Sequence, residues 1–300
     1  MAQIVECVPN FSEGRSPEVI QAIKEAITSV RGINFLHQTS DRDHNRTVMT
    51  ISGSPDAVLD AMYYGIEIAS KLIDMRQHSG VHPRIGATDV VPFVPIEGVS
   101  MADCVQLARR LGQRVGDDFG LPVYLYAEAA IRPERRDLAT IRRGEYETLI
   151  NTITSPERYP DYGPALLKGA GAVTIGARKP LIAYNVYLAT DDILIAKKIA
   201  RAIRGSNGGL AGVKALGFLV RGRAQISMNL VDYEKTPIYR VMELIRLEAQ
   251  NLGTHIAESE LIGLMPQDAL IQTAAWYLQL PDLEASDLLE NQIYGVRQGF

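Results

Sequence analysis

Ala215-Leu216-Gly217-Phe218-Leu219-Val220-Arg221-Gly222-Arg223-Ala224-Gln225-Ile226-Ser227-Met228-Asn229-Leu230-Val231 holds two apolar β runs around a tight polar connection with glycine at its centre. That is the pattern of an antiparallel hairpin. Outward from it, residues 191–203 and 237–251 repeat apolar positions at helical spacing, and 181–188 and 255–262 read as strands. The order is β-α-β-β-α-β. The N-terminal half writes the same order. Residues 3–8 are a strand, and 17–30 a helix with Ser16 as N-cap and Pro17 in its first turn. Residues 33–39 and 47–52 are strands about the polar turn 40–45. Residues 55–75 are a helix that Ser54 can cap, and 89–95 a strand. Residue similarity between the halves is negligible, so the repeat is one of topology. The expected class is α/β (α+β), with two ferredoxin-like βαββαβ lobes spanning 1–177 and 178–300. Each lobe leaves a sheet face to be covered. The two sheets cover each other or line a ligand groove between them.

Between the repeats, 101–118 reads as a helix, 122–126 as a short strand, and the rest to Gly171 as irregular. Arg132, Arg135, Arg136, Arg142 and Arg143 alternate there with Glu134, Asp137, Glu145 and Glu147. The mixture reads as a solvated charged helix rather than a ligand patch. Pro156, Pro160 and Pro164 mark a crossing loop. Residues 267–278 are a helix packing on the second lobe, and the acidic tail beyond Pro281 a surface helix or partly disordered.

A chain of 300 residues is comfortable for two lobes, and its net charge of −4 argues against broad nucleic-acid binding. A local arginine cluster can still oppose that sign for a small anion. Cys7 and Cys104 stand far apart and fit buried reduced thiols better than a disulfide framework. No basic-then-apolar leader opens the chain, and no apolar run reaches membrane-spanning length. The expected location is cytoplasmic, with no membrane partner.

The chemistry concentrates in Asp74-Met75-Arg76-Gln77-His78-Ser79-Gly80-Val81-His82-Pro83-Arg84-Ile85-Gly86-Ala87-Thr88-Asp89, which carries two of the five histidines. A core has no use for that mixture, and loops held by rigid elements are where chemistry sits. Histidine exchanges protons near neutral pH. His82, beside Arg84 and flanked by glycines, is the candidate acid/base group. The plainer alternative is a loop histidine bonded to a backbone carbonyl. His78 and His82 are four apart, but Gly80 and Pro83 interrupt the helix a metal pair needs, so no metal is expected. Asn10, after the first strand, is a candidate ligand contact or a turn support. In the turn Asp43-His44-Asn45-Arg46, Arg46 can pair with a carboxylate through its planar fork. Arg178 and Lys179 stand at the entrance to the second repeat, either as surface charges or as contacts to an anion. The glycine-rich stretch 206–212 follows a helix and lacks Gly-Lys-Ser/Thr, so it reads as a turn after a helix end. No dinucleotide fingerprint and no nucleophile elbow are present.

Several stretches together resemble the formiminotransferase family. They are Val5-Glu6-Cys7-Val8-Pro9-Asn10-Phe11-Ser12-Glu13-Gly14, Asn45-Arg46-Thr47-Val48, Leu72-Ile73-Asp74-Met75, His82-Pro83-Arg84 with Gly86-Ala87, and Val123-Tyr124-Leu125-Tyr126. Gly176-Ala177-Arg178-Lys179, Asn229-Leu230-Val231-Asp232-Tyr233 and Glu260-Leu261-Ile262-Gly263-Leu264-Met265-Pro266 extend the match over nearly the whole chain. The resemblance implies transfer of the formimino group of N-formimino-L-glutamate to N5 of tetrahydrofolate, in histidine breakdown. It implies a homodimer and two α/β subdomains with folate in a groove between them. The family's acid/base histidine falls on His82. Its folate loop falls on Gly163-Pro164-Ala165-Leu166-Leu167-Lys168-Gly169-Ala170-Gly171-Ala172. Asn10, Asn45, Arg46, Arg84, Arg178, Lys179 and Asn185 complete the set expected to meet folate or donor. The loop differs from that of animal members, and His37 and Thr39 stand where those carry acidic residues; Asp41 or Asp43 can substitute. Animal members continue into a cyclodeaminase domain, which is not expected here because the chain ends at Phe300. Two alternatives stay open: another donor (formiminoglycine or N-formylglutamate), and a non-catalytic folate-binding paralogue.

Overall fold

Alternation sets the first strand. In β1 (Ile4–Cys7) Val5 and Cys7 are fully buried while Ile4 and Glu6 keep some exposure. The computed structural model describes residues 3–294. The chain divides into two units, Met1–Arg178 and Lys179–Phe300.

In the first unit Pro9 follows β1, and the strand line resumes as β2 (Asn10–Phe11); both lie between β4 (Arg46–Gly53) and β5 (Thr88–Glu97). β3 (Asn34–Asp41) pairs with β4 at the edge. On the other side of β5 the sheet continues through β7 (Val173–Ala177) to β6 (Val123–Ala127), both pairings parallel. α1 (Pro17–Thr28) buries Ile20, Ile23 and Ile27, with Ser16 Oγ accepting the Val19 amide at its start. α2 (Pro55–Leu72) packs against α1 at Gly65, where a Cβ would stand 2.9 Å from Ile27. Each fully buried isoleucine or leucine contributes about 1.5–3 kcal/mol of transfer free energy. α3 (Met101–Phe119), opened by a Ser100/Asp103 capping box, lays Cys104, Leu107, Leu111 and Val115 into the same core.

Four sequence expectations need correction here. The helix expected to Met75 ends at Leu72, because Ile73 turns extended and Asp74 Oδ1 takes the Arg76 amide. Ser54 makes no capping bond with its side chain. The region after 126 is not irregular to Gly171 and then blank. It holds α4 (Leu138–Ile141) and α5 (Glu145–Thr152), and then β7, an unalternating buried run that gives no period-two signal. The arginine run is not simply a solvated helix either. Arg135 pairs with Asp161 at 2.6 Å with both side chains under 5% exposed, and Arg142 pairs with buried Asp89. Their partners lie far off in sequence, so the alternating charges around them mislead.

In the second unit β8 (Ile182–Leu188), α6 (Ile193–Ile203), β9 (Val213–Val220), β10 (Arg223–Leu230), α7 (Ile238–Asn251) and β11 (Ile256–Ile262) follow the order read from the sequence. The antiparallel sheet runs β11-β8-β10-β9. Arg221 and Gly222, at φ 51° and 72°, turn the β9–β10 hairpin in the left-handed way that a two-residue connection requires. One sheet face meets Ile199 and Ile203 of α6 and Val241 and Ile245 of α7. α8 (Gln267–Leu278) and the short α9 (Leu289–Tyr294) complete the unit; the last six residues lie outside the described ones. Cys7 and Cys104 are free and buried. Among the described residues no helix is long and apolar enough to cross a membrane.

Candidate active site

The turn between β3 and β4 ends on Asn45, a buried residue at φ 48°, a conformation that asparagine tolerates better than most residues. Its Oδ1 accepts the Gly14 amide at 2.9 Å and its Nδ2 donates to the Ser79 carbonyl at 3.1 Å. One side chain thus ties the loop after β2 to the histidine loop. Gly80 lies so close to the turn that a Cβ there would stand 2.3 Å from the His44 carbonyl oxygen.

This tie brings His82 to Arg46. Arg46 Nη1 lies 2.7 Å from His82 Nε2 and also touches Nδ1, and His82 Nδ1 is 2.8 Å from the Pro83 carbonyl oxygen. A carbonyl needs a donor and a guanidinium only donates. The assignment satisfying both puts the proton on Nδ1 and leaves Nε2 as acceptor. Burial of the ring, then Arg46 and Arg142, hold His82 well below its ordinary value of 6.5. The ring is therefore an uncharged base at neutral pH. The sign follows: the unfolded chain binds a proton at His82 that the folded chain refuses. The stability tied to this ring is complete above pH 6.5 and is lost as pH falls below it. Denaturant midpoints from pH 7.5 to 5 are expected to decline more steeply in the wild type than in His82→Asn; parallel profiles would remove the assignment.

Arg46 also donates from Nε to Asn10 Oδ1 at 2.9 Å, and from Nη2 to the same oxygen. Burial of its guanidinium and the neighbouring Arg142 push it down to about 9, with Asp89 opposing. An arginine keeps its proton at neutral pH. The depression therefore marks a half-buried cation short of an anion. Asp89 does not supply one directly, because its carboxylate already accepts Arg142 Nη2 and the Ile85 amide. Arg142 Nε is itself a buried donor without a hydrogen-bond partner. Two guanidinium groups beside one neutral imidazole make a pocket of positive potential in a negatively charged chain.

Arg84 stands differently. Its fork is filled by Glu145 Oε2 at 2.7 Å and both Glu147 oxygens at 2.6 and 2.8 Å, and its Nε donates to His78 Nδ1 at 3.1 Å. His78 Nε2 then faces the Asn45 carbonyl oxygen at 3.0 Å. Both its ring nitrogens are occupied, and among the described residues no three metal-ligating side chains converge.

The loop 163–172 is held against the His82 loop through backbone. The Met75 amide donates to Gly169 O at 2.7 Å, the Ala87 amide to Ala170 O at 2.8 Å, and the Ala172 amide to Ile85 O at 3.0 Å. Gly86 and Gly171 face each other so closely that a Cβ on Gly86 would stand 1.9 Å from Ala172 O. Ser12 Oγ donates to the Gly86 carbonyl at 2.7 Å, adding the loop after β2. Gly163 turns at φ 75° against Leu121, Leu167 is buried, and Pro164, Leu166 and Lys168 are exposed. Arg178, at the end of this unit, lies beside Glu6, Cys7 and Tyr126, where its charge opposes the upward push of burial on each.

Asn10, Asn45, Arg46 and His82 thus meet in one cluster of the first unit, with Arg84 and the 163–172 loop supporting it. Lys179 and Asn185 belong to the second unit. There Lys179 pairs with Glu234 at 2.9 Å, and Asn185 donates to Glu260 at 3.2 Å. The sequence reading missed Arg142 and Asp89. Neither carries a local signal, since each is recognisable only through the other.

Residues 4–178 match the family described as formiminotransferase domain, N-terminal subdomain, and residues 183–293 match the formiminotransferase domain. The chain is 50% identical to a glutamate formimidoyltransferase of Thermoplasma acidophilum, over 97% of each protein. It is 43% identical to a glutamate formimidoyltransferase of Streptococcus pyogenes serotype M1, over 98% of this chain and 100% of that one. It is 44% identical to the formimidoyltransferase-cyclodeaminase of Rattus norvegicus, where 92% of this chain matches 53% of the longer protein.

Proposed function

The chain belongs to the formiminotransferase family, and on that premise we propose that it is a glutamate formimidoyltransferase. It moves the formimino group from N-formimino-L-glutamate to N5 of tetrahydrofolate in histidine degradation, with His82 as general acid/base. The observation that carries the reading is the uncharged His82 with Nε2 as acceptor, seated against an arginine short of an anion. The donor has two carboxylates, and bidentate pairing with carboxylates is what a guanidinium does best. A carboxylate arriving at Arg46 competes with the imidazole for Nη1. Donor binding thereby frees the Nε2 lone pair beside the reacting carbon.

The loop 163–172 is the folate-contacting segment. Its backbone pairing with the His82 loop supports this, and the exposed Lys168 offers a cation to the acidic tail of the folate. Arg178, Lys179 and Asn185 complete the binding set. The subdomains are 1–177 and 178–300, each a ferredoxin-like lobe. The order β11-β8-β10-β9 supports that for the second, and β5-β1-β4-β3 for the first. The protein works as a cytoplasmic homodimer. Two buried free thiols support the compartment, and exposed Leu270, Trp276, Leu278, Leu289 and Ile293 support self-association.

The test is single-turnover transfer with purified protein and tetrahydrofolate, offering N-formimino-L-glutamate, formiminoglycine or N-formylglutamate in turn. Fastest transfer from N-formimino-L-glutamate is expected. Preference for another donor would replace the substrate, and folate binding without transfer from any donor would make the chain a binding paralogue.

A further inference from the structure

The arginines around the His82 loop differ in how fully their forks are used. Arg84 is closed by Glu145 and by both Glu147 oxygens. Arg76 spends its guanidinium on Asp74, and Arg15 on the Arg42 carbonyl and Ser79 Oγ. Arg46 and Arg142 have less. Arg46 meets an amide oxygen of Asn10 and the ring of His82, both uncharged. Arg142, the residue after α4, gives Nη2 to Asp89 Oδ2, while its Nε is a buried donor without a hydrogen-bond partner. A buried donor lacking an acceptor is costly, so an oxygen brought by a ligand gains more there than at the surface.

The sheet brings these two groups together. Asn10, which holds Arg46, pairs with Val48 of β4 on one side and with Val90 of β5 on the other. Asp89, which holds Arg142, is the residue before Val90, and its carboxylate also accepts the Ile85 amide of the His82 loop at 2.9 Å. Thr174 Oγ1 on β7 donates to the Asp89 carbonyl, so the backbone beneath that carboxylate is fixed as well. We propose that Arg142 is a specificity-determining residue of this site: with Arg46 it forms a two-guanidinium subsite for the α-carboxylate of the formimino donor. The proposal rests on the transferase reading above.

Charge and reach select that group. Arg46 and Arg142 carry two positive charges, and Asp89 offsets one of them. The remainder matches a single carboxylate. Arg46 Nη1 is 2.7 Å from His82 Nε2, so an oxygen on that guanidinium lies next to the nitrogen that works on the reacting amidine. In the donor, one carbon separates the departing nitrogen from the α-carboxylate and three carbons separate it from the γ-carboxylate. The short arm fits beside the base, and the long arm is read elsewhere. Arg46 already spends Nε and Nη2 on Asn10, so it offers a carboxylate only part of its fork. Arg142 Nε supplies a donor for the second oxygen, and charge-assisted bonds of this kind are about twice as strong as neutral ones.

The test is calorimetric titration of the full chain, with tetrahydrofolate present, by N-acetyl-L-glutamate, whose acetyl group is not transferred, and by its α- and γ-carboxamides. The same three compounds are run against Arg142→Lys, which keeps a cation on Asp89 but has no further nitrogen for a carboxylate oxygen. In the wild type the α-carboxamide is expected to bind about 10–10²-fold more weakly than the parent, the size of lost hydrogen bonds to a charged group. In Arg142→Lys that ratio is expected to shrink toward unity, while the ratio for the γ-carboxamide stays as in the wild type. A merely structural role would weaken all three compounds alike. In single-turnover transfer the same variant is expected to need more N-formimino-L-glutamate for half-maximal rate, with the maximal rate less affected. Should Arg142→Lys fail to fold, Arg142→Gln combined with Asp89→Asn leaves a neutral hydrogen-bonded pair and is measured in its place. An unchanged α ratio in the folded variant, collapse of the γ ratio instead, or no binding of N-acetyl-L-glutamate to the wild type would overturn the proposal. The titrations need no turnover, so the transferase reading fails separately, if the wild type moves no formimino group.

Discussion

Replacing His82 by asparagine is expected to slow single-turnover formimino transfer by about 10²–10⁴-fold, the usual contribution of a positioned acid/base group. Asparagine keeps an amide donor for the Pro83 carbonyl and is close in size, so the loop loses little. What disappears is the acceptor nitrogen facing Arg46. The near-neutral effect on folding follows from the ring's half-buried position and from the other ties of the loop. Asn45, Gly80, Arg84 and the 163–172 backbone hold it independently of the imidazole. Unchanged circular dichroism and thermal midpoint, with the loss confined to the transfer step, would be the matching result. A folded His82→Asn protein with near-normal turnover would end the assignment.

The second large effect is on stability. Arg135→Met is expected to cost about 3–5 kcal/mol, because it strands a buried carboxylate. Arg135 Nη1 bonds Asp161 at 2.6 Å, its Nη2 donates to the Tyr159 carbonyl at 2.5 Å, and its guanidinium lies 5.0 Å from the Tyr124 ring centroid. Asp161 in turn accepts the Leu125 amide at 2.8 Å, which anchors β6 to the crossing loop. Methionine fills much of the volume but gives Asp161 nothing. Adding Asp161→Asn to Arg135→Met is expected to recover a large part of the loss, since the remaining polar group is then uncharged. Urea denaturation measures both. A cost below about 1 kcal/mol for Arg135→Met would place the pair with solvated surface bridges.

The contrast between these two residues shows what was legible. His82 announced itself through its neighbours in sequence: two glycines, a proline and charges gathered where a core or a simple turn needs none. The second unit was legible for a similar reason, since hairpin, helices and outer strands each carry their own period. Arg135 and Arg142 were misread because burial is decided by a partner. Asp161 and Asp89 stand in other segments, and the local run of alternating charges is what a solvated helix also shows. β7 was missed for a third reason. A five-residue strand buried on both faces has neither alternation nor helical spacing to reveal it. Arg84, expected among the ligand contacts, has its guanidinium engaged by Glu145 and Glu147, which lie on a helix the sequence does not show.

The facing glycines at 86 and 171 also bear on what gives the His82 loop its shape. They clasp the two ends of a long excursion that runs out through β5, α3, β6 and α5 and returns along the crossing loop, just before β7 begins. Closing so distant a pair costs chain entropy that only the packed excursion repays. The shape of the His82 loop is therefore tied to a long-range contact and not to its own sequence neighbours, and in the native fold it rests on the packing of α3 and the parallel strands. Sequence length within the excursion is less constrained than its two ends, where a single added methyl group has nowhere to go.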